Sequence, residues 1–221
     1  MSPGFRSASI VTIVLASCLI GCAAPSAAPG RVSPDGLGPR ASVITPPPVT
    51  GLTTMYFRDP LACRMSFATG AEGGVFQDHM TKNHQSDIDF GHYVEGAFRV
   101  GVEGGSRGAI VDLGTPAELR ERYGFSDTVG GGQAFASIRW DGDGFRILAD
   151  YETQATQPLR EADGLLDAVG VTESAPVVTD HVYLVALSDR HDPTFRRLVK
   201  FHVVAHVPGE SVTLRWYRLD G

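Results

Sequence analysis

Between Gln77 and His92 the chain gathers His79, His84, Asp87, Asp89 and His92 into one polar, irregular stretch. Imidazole and carboxylate are the usual nitrogen and oxygen ligands of zinc and related ions, so these five are the candidate metal ligands and the candidate centre for metal-assisted hydrolysis. Their spacing matches no zinc motif, and a solvated loop that collects Asp and His is the competing reading. His202 and His206 would share one face of a helix. Phe201–Val207 reads instead as a strand, in which four residues span about 13 Å, too far for two side chains to share a metal. Both histidines are expected on one partly exposed polar face with Lys200 and Val204, opposite Phe201, Val203, Ala205 and Val207. Haem ligation tolerates single histidines on separate strands and stays open there. Arg215, Trp216, Tyr217 and Arg218 set aromatic rings beside guanidinium groups, a composition common in interfaces. Strand alternation separates Trp216 from Tyr217, giving one to the core and the other to a rim, so His202, His206 and Tyr217 form the candidate binding surface.

Other stretches match chemical motifs in letters and fail in context. Gly104-Gly105-Ser106-Arg107-Gly108 has the lettering of a nucleophile elbow, but that device needs a helix after the serine, and Ala109–Leu113 are strand formers. No Gly-Lys-Ser/Thr follows, which excludes a phosphate-binding loop. Asp141-Gly142-Asp143-Gly144 begins like a calcium loop, yet the next alternate position is Phe145 and no suitable acid follows, so a hairpin turn is expected. Cys63, in Cys63-Arg64-Met65-Ser66-Phe67, alternates with polar residues and is expected as a buried, inert thiol on the inner face of a strand. No residue is assigned a catalytic role.

The elements that must position these side chains are short strands with glycine punctuation. Phe98–Val102 and Ala109–Leu113 read as a hairpin closed by the glycine-rich turn. Ala134–Trp140 and Phe145–Tyr151 read as a second, around Asp141–Gly144. Val182–Leu187, Leu198–Val207 and Val212–Leu219 are dense in β-branched and aromatic residues and should form a buried central meander. Thr115-Pro116-Ala117-Glu118 is a capping box with proline at the first helical position, so a helix of about two turns should run to Gly124. Pro158–Val169 is a second helix candidate, weakened by Gly164. Hairpins without βαβ alternation make the fold class mainly β, an antiparallel β-sandwich or open barrel of short hairpins with one or two short helices.

Ahead of that domain, Arg6 supplies a positive n-region, Ile10–Ile20 a short apolar run, and Leu19-Ile20-Gly21-Cys22 a junction with small Gly21 just before a cysteine. A transmembrane helix needs roughly 20 apolar residues, well beyond this run. The segment resembles the signal peptide of a bacterial lipoprotein, whose lipobox ends in the cysteine that is lipidated and becomes the first residue of the mature chain; the resemblance covers residues 1–22. It implies cleavage after Gly21, a membrane anchor such as palmitate on Cys22, and an extracytoplasmic location at the cell envelope. Ala23 is not the aspartate that signals inner-membrane retention, so the outer membrane is favoured if the host is Gram-negative.

Residues 22–50 then comprise Cys22 and a tether, since seven of the fourteen prolines lie between Pro25 and Pro48 and little there can be buried. At roughly 3.1 Å per residue it could hold the domain up to about 85 Å from the bilayer. Residues 51–221 are expected as a single β-rich globular domain. Loss of residues 1–21 leaves 18 basic against 25 acidic side chains, a formal charge of −7 that argues against nucleic acid as a partner. Cys18 leaves with the leader, so Cys63 has no disulfide partner within the mature chain. The expected function is a lipid-anchored envelope protein that binds a small molecule, a glycan or a protein, with no cofactor demanded by the sequence. A metal-assisted envelope hydrolase using Gln77–His92 and a purely structural envelope role are the alternatives.

Overall fold

The computed structural model describes residues 50–71, 84–91, 95–102, 105–124 and 133–220. In chain order these form strands β1 (Thr50–Tyr56), β2 (Arg64–Met65), β3 (Ile88–Phe90), β4 (Ala97–Val100) and β5 (Ser106–Gly114), helices α1 (Pro116–Tyr123) and α2 (Gln133–Ser137), and strands β6 (Arg139–Trp140), β7 (Phe145–Leu148), β8 (Thr156–Pro158), β9 (Ser174–Pro176), β10 (Val182–Asp189), β11 (Arg196–Val207) and β12 (Ser211–Arg218). Three sheets result, a five-stranded one ordered β1-β12-β11-β10-β5, a four-stranded one ordered β2-β3-β4-β9 and a three-stranded one ordered β6-β7-β8. Every strand pairing in them is antiparallel. The fold is mainly β, an antiparallel sandwich with no closed barrel.

The five-stranded sheet is the middle layer because its central strands are apolar on both sides. Tyr183, Val185 and Leu187 of β10 point into one cluster, which Phe201, Leu214 and Trp216 join from the same sheet and Ile88, Phe90, Phe98 and Val100 from the four-stranded sheet. Val182, Leu184 and Ala186 point the other way, against Leu119 and Tyr123 of α1, Phe135 of α2 and Phe145 and Ile147 of β7. An unbroken apolar run is what a strand covered on both faces requires. Each large side chain so buried contributes about 1.5–3 kcal/mol. The β10–β11–β12 meander expected from the sequence is this layer's centre.

The helix from Thr115 is also as expected. The Thr115 hydroxyl accepts the Glu118 N–H at 3.1 Å and the Glu118 carboxylate accepts the Thr115 N–H at 2.7 Å, while Gly124 closes the helix in the left-handed region. Pro158–Val169 forms only a 3-10 turn, Arg160–Ala162, followed by further turns.

Two hairpin expectations are corrected. β4 and β5 belong to different sheets: β4 pairs with β3 and β9, and β5 pairs with β10. The glycines serve a crossing between layers. A Cβ added to Gly101, whose φ is +68°, would stand 2.4 Å from the Gly108 nitrogen, and one on Gly108 would stand 2.5 Å from Val100 Cγ2. Ser106 begins β5 in register with Asp189, and no helix follows it directly, so the elbow lettering has no elbow geometry. In the second case only Arg139–Trp140 pair with β7, and Ala134–Ser137 lie in α2. Their intervening turn is as expected, with Asp141 Oδ1 accepting the N–H groups of Asp143 and Gly144.

Candidate functional site

The three described members of the Gln77–His92 cluster are held by the core. Asp87 is 4% exposed and accepts hydrogen bonds from the Phe67 N–H at 2.6 Å, the Ser66 hydroxyl at 3.3 Å and the Arg197 guanidinium. Burial pushes its carboxyl up, and Arg197, Phe67 and Ser66 pull it back. Asp89 is 1% exposed and faces Arg64 at 3.4 Å, its register partner between β3 and β2. Both aspartates are therefore buried against arginines and are not solvated loop groups. His84 has φ +51°, stacks on Phe195 with centroids 3.7 Å apart, and holds Nδ1 3.9 Å from Asp189 Oδ2. Gln77, His79 and His92 lie outside the described residues, as do residues 1–49 with Cys22. Among the described residues no three His, Cys, Asp or Glu side chains converge as a metal site would require. Cys63 is fully buried beside Asp89, and burial with that neighbouring carboxylate pushes its thiol up to about 11. The strand itself is only Arg64–Met65, with Cys63 in the turn before it, and Arg64 and Ser66 are buried as well, Arg64 against Asp89 and Ser66 against Asp87.

The two strand histidines do not share a face. Val203 pairs with Leu214 and Ala205 with Thr213, so Val204 is an extra residue, a β-bulge that reverses the alternation beyond it. His202 lies on the Lys200 face and its Nε2 meets Asp180 Oδ1 at 2.9 Å. His206 turns inward with Val203, its ring edge-on to Phe90 at 5.8 Å, and burial pushes its pKa down. Ala205 and Val207 take the outward positions that the sequence pattern gave to His206. One planar ligand such as haem could not meet both imidazoles. Trp216 enters the core at 1% exposure, with Nε1 bonded to Thr53 Oγ1 at 3.1 Å, while Tyr217 remains 39% exposed on the opposite face.

On the Lys200 face, next to Tyr217, the structure forms a cleft of about 490 Å³ between α2 and β6 on one side and β11 and β12 on the other. Register places Lys200 opposite Tyr217, and His202 opposite Arg215 one step along. Lys200 is 4% exposed, and its Nζ donates to the carbonyls of Phe135 at 2.7 Å, Ile138 at 2.7 Å and Ala136 at 3.3 Å. An ammonium has three protons, and all three are engaged at the C-terminal end of α2. Phe135 and Tyr217 stand beside Lys200 with ring centroids 4.9 and 5.0 Å from Nζ. Burial, with the Arg139 and Arg215 guanidiniums near by, pushes Lys200 down to about 7. Trp140 forms part of the cleft wall, its other contacts being Phe145 and the Arg196 guanidinium.

Sequence reasoning found Tyr217 and the aromatic–guanidinium composition of β12. It missed Arg139 and Trp140, and treated Lys200 only as a neighbour of the histidines. Lys200 reaches α2 across 65 positions of chain, so no local pattern carries that signal. No protein family matches the chain, and no curated protein or solved structure is detectably similar to it.

Proposed function

We propose that this chain is a lipid-anchored envelope protein whose β-sandwich is a binding domain, with the ligand seated in the cleft between α2–β6 and β11–β12. The observation that carries this reading is the cleft itself. Its size falls in the range of small-molecule sites, and exposed and half-buried aromatic rings line it beside polar groups. Binding is favoured over catalysis because Lys200 Nζ is enclosed by backbone carbonyls and, among the described residues, hydrogen-bonds to no side chain that could relay its proton. The anchor rests on the Leu19–Cys22 junction, and the Pro-rich segment after it gives the domain its reach.

The test uses the full chain in its bacterial host and a soluble Cys22→Ser form. Labelled palmitate should enter the wild type and not Cys22→Ser, which should leave the membrane fraction; equal labelling of both forms would remove the anchor. For the domain, backbone and indole resonances of the soluble form are followed against a library of small envelope-type compounds. Shifts should concentrate at Trp140, Arg215 and Tyr217, and shifts scattered over the surface would sink the cleft as a site. A melting point raised by zinc and lost on replacing His79, His84 and His92 with alanine would transfer the reading to the metal-assisted hydrolase.

A further inference from the structure

Seven of the fourteen arginines among the described residues, Arg58, Arg64, Arg99, Arg122, Arg146, Arg197 and Arg218, stand against a carboxylate. Arg139 and Arg215 are not among them. Among the described residues Arg139 bonds only the neutral amide oxygen of Gln154, at 3.2 Å, and Arg215 lies over the Phe135 ring at 5.3 Å. Among the described residues no acidic side chain lines the cleft they share with Lys200, and the fourth cation of its lining, Arg218, is matched by Asp220 outside it. In a chain of net charge −6, three cations gathered without a carboxylate oppose the overall balance. A concave wall of one sign concentrates the opposite charge.

Resting on the cleft as the binding site, we infer that its ligand carries an oxyanion, a phosphate or a carboxylate, gripped by Arg139 from β6 and Arg215 from β12. Guanidinium forks match the geometry of such groups and bind them with paired, charge-assisted hydrogen bonds. Lys200 directs its protons at the α2 carbonyls and adds to the field only while it is protonated. Half-exposed Tyr217 and the Trp140 ring flank the position left for the rest of the ligand, so the anion is expected on a ring-sized body and not as a bare ion.

The test is calorimetric titration and arginine Nε and indole Nε1 resonance mapping on the full chain carrying Cys22→Ser. The charged probes are phenyl phosphate, benzoate, glucose 6-phosphate and glucuronate; phenol, glucose and sodium chloride at matched ionic strength are the controls. Charged ring compounds should shift Arg139, Arg215 and Trp140 and bind at least tenfold tighter than their uncharged counterparts. The order within the set separates phosphate from carboxylate and an aromatic body from a sugar. Arg139→Gln and Arg215→Gln, both surface changes, should each weaken binding about tenfold or more with unchanged melting point, and exposed Arg190→Gln should leave it unaltered. Uncharged compounds that shift the cleft as strongly would overturn the oxyanion and leave the cleft a binding site. Equal weakening by Arg190→Gln would reduce the effect to general charge attraction and overturn the inference. If neither class shifts the cleft, the binding site falls with it.

Discussion

Lys200 gives up its proton far more readily than a free lysine, because burial and two guanidiniums oppose its charge, and this has a pH signature. Its folded-state pKa is about 7 against an ordinary 10.5. Below about 7 the folded and unfolded chains both carry the proton. Between about 7 and 10.5 only the unfolded chain does, so stability should rise with pH through that window, by up to about 1.4 kcal/mol per pH unit. Cys63, pushed up to about 11 from 9, acts in the opposite sense above pH 9, so urea unfolding between pH 7 and 9 isolates the lysine. Lys200→Met should abolish the slope; an identical slope in the variant would refute this assignment. Asp87 makes the companion case. Asp87→Asn leaves Arg197 buried beside a neutral amide and should destabilise the domain by about 3–5 kcal/mol in denaturant titration. A loss under 1 kcal/mol would mean that the pair is solvated. Neither role could be read from sequence, since Lys200 sits among strand residues that look exposed and Asp87 among residues that look like a loop. Each is defined by a partner far along the chain.

At the level of elements, what could be read from sequence was what is local. The Thr115–Glu118 box carries its whole mechanism within four residues, and the β10–β11–β12 meander carries its burial in its composition. Where the sequence misled, one local pattern served two geometries. Glycines around 101–108 that suit a tight turn equally suit two strands leaving for different sheets. Gly101→Ala should therefore cost about 2 kcal/mol or more, through both its positive φ and the 2.4 Å approach to Gly108. Gly96→Ala, at φ +69° with nothing within 4 Å of the added methyl, should cost only the backbone strain. Equal losses in the two variants, measured by thermal melting, would remove the crossing contact from the account. The bulge at Val204 was equally silent: strict alternation puts His202 and His206 together, and one extra residue sends them to opposite faces. The helix α2 is too short to stabilise itself and owes its place to Phe135 packing and to Lys200.

Across the whole molecule, the five-stranded sheet lies between two layers, and the loops and short elements of the second layer shape its clefts. A second cleft of about 410 Å³ lies beyond Trp140, between the β6–β7 turn and residues 162–167, and is edged by Asp141, Asp143, Asp163 and Asp167. Trp140 belongs to both walls, so one residue is shared by a basic recess and an acidic one. The sandwich class was legible because it follows from hairpin spacing and composition. The charge contrast was not, because Arg139, Lys200 and Arg215 come from three separate strands and meet only in the folded chain. The protein's two tryptophans consequently divide an optical task. Trp216 is sealed in the core against Thr53 and Phe67, so its emission is expected to stay constant in the folded chain. Trp140, half-buried and shared by the two recesses, should change its emission when a ligand enters either one, so the two indoles together would report occupancy without a label.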